Sequence, residues 1–458
     1  MSIKTLLLMV FVVSTTLALN AQTQQTIKNR SMLIDYGDRF YADAYVVPQE
    51  DKDSATIVVF FRMANDFLSF TKVSRASEVG GNFVADMNVS IELRDTLGVI
   101  RQRLKWKDVA YTNSFDETSN KSEFHYGWQR MSVGPGTYVI TLEILSQKES
   151  SQKKLKLLPV SFTPKRPTRQ LTPPVFGEPI TVNGRDMTRL FVFNGNLPFG
   201  PNNGRMMFLV GDTVPTDYNY TISMLPWEPR DIRWWSVSEI QGEVRSQRNR
   251  FPRVSTSSTS DAALLDMTTL PVPMRPIATV QIDIPMSAMV PGRYQLKLVG
   301  NNSPDTITMR FQIVWEMMPF SLRTVDYAVE AMRYICTDEQ IDSLTAGSTT
   351  NNREALMAWW RKQDPTPATA FNERMAEYFK RVDNAFFAFS TIAEPDGAMS
   401  DRGKVYVLYG QPADIKKTLL SDKSVEQWTY TSGIKQTFLF ALTERGAYAL
   451  TDVKATAR

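Results

Sequence analysis

Six of the carboxylates between residues 364 and 401 are candidates for chemistry: Asp364, Glu373, Glu377, Glu394, Asp396 and Asp401. Two carboxyl groups held about 5–10 Å apart can hydrolyse a glycosidic bond, one as acid and the other as nucleophile or base. A carboxylate-dependent hydrolase of glycan or peptide is therefore one expectation. Each group also has a structural use. Asp364 precedes Pro365 in a turn, Glu377 stands four residues before Arg381, and Asp401 lies where it could bind turn amides. Ser400 beside Asp401 suggests a nucleophile, but nucleophilic catalysis needs a base within hydrogen-bond reach. The chain has one histidine, His125, and one cysteine, Cys336, and neither lies near Ser400 in sequence. No His/Cys cluster exists for zinc, and Asp396 and Asp401 lack calcium-loop spacing. The run "DRGKVYVLYG" lacks the phosphate-loop pattern. No cofactor and no metal are expected. A glycan platform remains possible at Trp227, Trp234 and Trp235 in "LPWEPRDIRWWSV".

The densest polar stretch is "EPDGAMSDRGKVYVLYGQP", Glu394 to Pro412. It reads as a hinge. Gly397 would allow a positive-φ bend, and Ser400 and Asp401 would accept hydrogen bonds from nearby amides. Arg402 would reach back to Glu373 or Glu377. Gly403 would then free the chain to enter a strand, "KVYVLY".

The elements that position this stretch follow from periodicity. "NFVADMNVSIEL" alternates strictly, with Phe83, Ala85, Met87, Val89, Ile91 and Leu93 on one face. With "ATIVVFF" and "TYVITLEI" it predicts a β-sandwich over residues 30–158. Short β-rich runs such as "RMMFLVG", "TVQIDI" and "RYQLKLVG" predict a second Ig-like sandwich over 175–316. A Pro-Gly turn followed by an aromatic recurs in both, at Tyr138 and Tyr294. Residues 159–174 read as a proline-rich linker. "RSQRNRFPR", with Arg245, Arg248, Arg250 and Arg253, reads as an exposed loop. Beyond Pro319 the period becomes helical. "TDEQ" is a capping box on Thr337, a helix starts at Asn351 or Asn352, and Thr366 with Pro367 opens a long helix. Residues 320–458 are thus expected to form an α+β domain, helices followed by a small antiparallel sheet.

The first 21 residues read as a secretory signal peptide: Lys4, then "TLLLMVFVVSTTLAL", then "LNA" before Gln22. The apolar run falls short of the roughly 20 residues that span a membrane. Export with a single cysteine leaves no internal disulfide, so packed cores must suffice. A net charge of +4 is too small to argue for nucleic acid.

The ordered set Trp359-Trp360, Asp364-Pro365, Asn372-Glu373, Glu377, Arg381, Gly397, Ser400-Asp401-Arg402-Gly403, Gly410 and Pro412 resembles the GWxTD-domain family. These are exported bacterial proteins with this domain at the C-terminus, often behind β-sandwich modules. The eponymous Gly-Trp-x-Thr-Asp run is Gly397-Ala398-Met399-Ser400-Asp401 in this chain, with Ala398 at the Trp position. The resemblance implies architecture and compartment, not a reaction. The expectation is an exported, periplasmic, non-enzymatic protein whose partner is another envelope protein, with a glycan as a further possible ligand.

Overall fold

The computed structural model describes residues 39–49, 54–73, 80–146, 151–157, 159–162, 172–212, 214–225, 239–269, 277–301, 306–420 and 423–455. The signal segment and Trp227, Trp234 and Trp235 lie outside them. Two compact units result: Asp38–Glu316 with Ala368–Phe371, and Met317–Pro367 with Asn372–Arg458.

In the first unit the strict alternation of "FVADMNVSIEL" becomes the strand Phe83–Asp95, and Ala85, Met87, Val89, Ile91 and Leu93 are buried. Ile100–Thr112 pairs along one edge of this strand and Gly136–Ser146 along the other, with Ser151–Lys156 beyond. A facing sheet holds Phe40–Pro48, Ala55–Ala64 and Phe124–Val133. Side chains from both sheets form one core, as a sandwich requires. The second sandwich faces a seven-stranded sheet, which includes Val175–Val182, Gly204–Val210 and Ala278–Ile284, with a five-stranded sheet that includes Asp217–Met224, Gly292–Gly300 and Thr306–Val314.

Two strands of this unit do not alternate. Ala55–Ala64 and Gly204–Val210 are buried along nearly their whole length. A strand buried on both faces has no use for polar residues on either. The reason is a third core, in which Tyr45, Val58 and Phe60 from the first sandwich meet Val192, Met207 and Leu209 from the second. The unit is a four-layer stack, sheet on sheet on sheet on sheet. Polar pins reinforce the middle seam. Asp43 accepts hydrogen bonds from the amides of Phe193 (2.8 Å) and Gly195 (2.6 Å). Arg62 donates to the Val192 carbonyl (2.9 Å) and pairs with Glu316 (2.8 Å), over the rings of Tyr41 and Phe124.

The Pro-Gly-x-Tyr echo has a shared geometry. Tyr138 donates to the Gly134 carbonyl (3.0 Å) and Tyr294 to that of Val290 (2.8 Å), each four residues back. Two readings change here. Val160–Phe162, at the start of the proline-rich stretch, is a strand paired to Gly136–Tyr138. The arginine-rich segment is also β-structure: Arg248 pairs with Ala278, and Arg250–Val254 pairs with Leu264–Thr269.

The second unit opens with five helices. They are α1 (Val325–Ala331), α2 (Asp338–Thr345), α3 (Thr349–Arg361), α4 (Glu373–Ala388) and α5 (Asp401–Tyr409). The capping box at Thr337 forms with Gln340 as its sequence demands. Other starts differ. Ser348 caps α3. Asn372, not Thr366, caps α4, because its carboxamide both accepts from Met375 N (2.9 Å) and donates to the Trp360 carbonyl (2.8 Å). Two bonds across two helices outweigh the favourable Thr-Pro local signal. A four-stranded antiparallel sheet follows: Asp414–Leu420, Lys423–Thr429, Gln436–Leu442 and Tyr448–Ala455.

The main correction is α5. "KVYVLY" is helix, not strand. Val, Tyr and Leu favour strands only when a sheet offers them a place. Here Ser400 accepts from Gly403 N (3.0 Å) and caps a helix whose Val405 and Val407 are buried.

Candidate functional site

The motif residues from Asp396 to Gly403 form the turn between α4 and the start of α5. Asp396 starts it by accepting from Ala398 N (3.0 Å), while Tyr327 donates to the same carboxylate oxygen (3.2 Å). Gly397 is not in the left-handed region. Its requirement is space: a Cβ there would lie 2.4 Å from the Ala385 carbonyl oxygen. Gly403 is tighter still, since its Cβ would lie 2.0 Å from the Gly397 carbonyl oxygen. Contacts under 3.0 Å to backbone cannot be relieved by a side-chain turn, so the two glycines let the short helix lie directly on the preceding turn. Ser400 completes the lock by donating to the Gly397 carbonyl (2.7 Å).

Arg402 does not reach Glu373 or Glu377. It points the other way, to Glu426 on the strand Lys423–Thr429 (3.4 Å). Both groups are buried, and the guanidinium sits over the ring of Tyr448 (4.1 Å). Glu426 also accepts from Trp428 Nε1 (3.3 Å) and from Lys417 Nζ (3.1 Å). Glu426 was legible in the sequence only as part of the "EQWTY" run; nothing local marks it as the partner. Asp401 likewise works at a distance, accepting from Leu450 N (2.8 Å). Arg402 and Asp401 thus tie α5 to both the second and the last strand of the sheet.

Asp364, Glu373 and Glu377 are engaged away from this turn, the first two at the other end of α4. Glu377 pairs with Arg381 (2.7 Å), which also donates to the Leu408 carbonyl at the end of α5 (3.3 Å). Asp364 accepts from Thr366 N (2.8 Å), and Glu373 accepts from the Thr366 hydroxyl. Pro365 sits in that turn and Pro412 is buried just past α5. Gly410 presents its carbonyl to Tyr430 (2.8 Å). Trp360 is fully buried against Tyr378 and Phe379, and Trp359 is half-buried beside it. Glu394 is the exception. One of its carboxylate oxygens is buried with no hydrogen-bond partner. Burial pushes its pKa up, and the nearby Asp401 charge adds to this while Arg402 opposes it. Among the described residues no cluster of three metal-ligating side chains occurs. Cys336 is half-buried and unbonded, with its thiol pKa raised by burial.

This turn lies inside a stretch of the chain that matches a known family. Residues 296–452 match the GWxTD domain. The C-terminal part of the chain is a GWxTD domain. The match begins inside the strand Gly292–Gly300 and runs through the helices to the last strand. Within the GWxTD domain the eponymous tryptophan is Ala398, which is buried and whose carbonyl accepts from Tyr334 (2.9 Å). Among curated proteins none matches the chain. Among solved structures, a transglutaminase from red sea bream matches at 8% identity and a TM-score of 0.17, covering 60% of this chain and 31% of that one. The chain thus spans about a third of that protein, and the likeness carries no argument.

Proposed function

We propose that the chain is an exported, periplasmic protein that acts by binding another protein of the cell envelope rather than by turning over a substrate. One observation carries this reading. The motif residues of the GWxTD domain are spent on holding the domain together: Arg402 on Glu426, Asp401 on Leu450, Ser400 on Gly403, Glu377 on Arg381. Polar residues used this way build a rigid platform, and broad sheet edges and loops offer surface for protein contact. The leader-like first 21 residues support export. The test is crosslinking in the native envelope followed by identification of captured proteins, with the amino terminus of the mature chain determined. The reading expects a reproducible partner and a mature chain starting at Gln22. A cytoplasmic, unprocessed chain, or a processed chain that captures nothing, would overturn it.

A second reading, a carboxylate-dependent hydrolase, is favoured by Glu394 alone. Its raised pKa and unpartnered oxygen beside Asp401 suit a general acid. Loss of a hydrolytic activity in Glu394→Gln with the fold intact would support it.

A further inference from the structure

The strand Ile100–Thr112 carries Arg101, Arg103, Lys105 and Lys107 at every second position, and all four are exposed. Alternate residues of a strand share a face and repeat about every 6.6–6.8 Å. The row therefore lies along the outer face of the sheet built on Phe83–Asp95, opposite the side on which the half-buried Leu104 and Trp106 pack against the core. Its two ends differ. Arg101 pairs with Asp95 and Arg103 with Glu92. Lys105 and Lys107 have no ion pair among the described residues, although they stand opposite Ser90 and Asn88 in register. A concave pocket of roughly 390 Å³ opens at this point of the face. Its polar lining is Lys105, Lys107, Asp86, Asn88, Ser90, Ser69 and Glu143, two ammonium groups beside two carboxylates, and its apolar lining includes Phe67, Val89 and Trp106. Glu143 lies across from Ser90 and is itself held by Lys154 (2.6 Å).

We propose that this pocket binds an acidic saccharide chain. Two unpaired ammonium groups one strand repeat apart suit carboxylates on successive or alternate sugar units. The Asn88 amide, the Ser90 and Ser69 hydroxyls and the Glu143 carboxylate supply the donors and acceptors that ring hydroxyls require. An isolated cationic row would suit any anion, but hydrogen-bonding groups of both kinds in one concavity suit a polyhydroxylated one. The site lies wholly in the first sandwich and does not depend on the envelope-partner reading.

The test is titration of the full-length protein with a galacturonic acid hexasaccharide, with maltohexaose as the neutral counterpart and phosphatidylglycerol vesicles as the lipid alternative. The wild-type chain is expected to bind the acidic hexasaccharide, more weakly by about tenfold between 50 and 200 mM salt, and to ignore maltohexaose. Lys105→Gln/Lys107→Gln is expected to lose about tenfold or more in affinity, as is Asn88→Ala to a smaller degree. Both lysines are exposed, so circular dichroism should be unchanged. The control Lys362→Gln/Lys380→Gln removes the same charge from exposed positions at the C-terminal end of α3 and the middle of α4. No binding by the wild-type chain, equal loss in the control pair, unchanged binding in the double variant, or binding to the vesicles alone would each overturn the proposal.

Discussion

Glu426→Met should destabilise the GWxTD domain more than Arg402→Met, although the two residues form one pair. Both side chains are more than nine-tenths buried, and leaving one buried charge without its partner costs about 3–5 kcal/mol. The two survivors are not equivalent. Without Arg402, Glu426 keeps the Lys417 ammonium at 3.1 Å and the Trp428 indole N–H at 3.3 Å. Lys417 is 70% exposed, so its contribution is on the order of 1 kcal/mol or less. That brings the loss to about 2–3 kcal/mol. Without Glu426, Arg402 keeps only the faces of Tyr448 and Phe389, and its Nε is already without a partner. The full 3–5 kcal/mol is expected there. The double variant puts two methionines where the pair was, and apolar replacement of a buried pair is often near neutral. Its cost should fall short of the sum of the singles by 2 kcal/mol or more. Because the chain has two units, a global melting curve would mix them. Native-state hydrogen exchange at the amides of Lys423–Thr429 reads this sheet alone. Equal costs for the two singles, a cost below about 1 kcal/mol for Glu426→Met, or additivity in the double variant would refute the reasoning.

Three further outcomes follow from the same geometry. Gly403→Ala should unfold the α4–α5 turn, costing more than about 3 kcal/mol, since its Cβ would meet backbone at 2.0 Å; loss of exchange protection at the Leu450 amide is the readout. Asp383 is buried and accepts from the amides of Phe320 (2.7 Å) and Ser321 (3.2 Å), yet burial raises its pKa from 3.8 to about 6. The folded state then holds more protons than the unfolded one between those values, so this group's stabilisation is full below about pH 4 and is lost as pH rises through 6. The loss is about 3 kcal/mol, and it should vanish from the pH–stability curve of Asp383→Asn. Tyr294→Phe, buried and bonded to the Val290 carbonyl, should cost about 1–2 kcal/mol, and Tyr138→Phe, at a more exposed corner, less than half of that by urea denaturation.

Sandwich architecture was legible because its signal is local. Period-two alternation at Phe83–Leu93 and the Pro-Gly-x-Tyr corners need only neighbouring residues to be read. The four-layer stack was not, although its signature was present. "ATIVVFF" and "RMMFLV" are apolar on both faces, and a run of that kind states that both faces are covered without saying by what. The helix α5 was misread for a related reason. Its Val and Tyr residues carry strand propensity, while the cap that decides the matter is a single hydroxyl, Ser400, preceded by a turn whose geometry depends on α4. Partners separated by 24 and 49 residues, Glu426 for Arg402 and Leu450 for Asp401, leave no spacing signal at all. The pairing of Glu377 with Arg381 was readable because one helical turn fixes it.

The alanine at position 398 can be understood from what its neighbours do. The turn is closed by two glycines that admit backbone at van der Waals limits, one serine that caps and back-bonds, and two charged residues that reach the sheet. None of these contacts passes through the side chain of residue 398. Its described polar contacts are made by its backbone, the amide to Asp396 and the carbonyl to Tyr334, and any residue type but proline supplies both. The position is buried, so a large ring there would have to be paid in space by the surrounding helices, and here Ala398 leaves that space to the close approach of α5. The motif is therefore mechanical at Gly397, Ser400, Asp401, Arg402 and Gly403 and permissive at Ala398. A chain can lack the tryptophan and keep the turn, whereas a Cβ at Gly403 would break it.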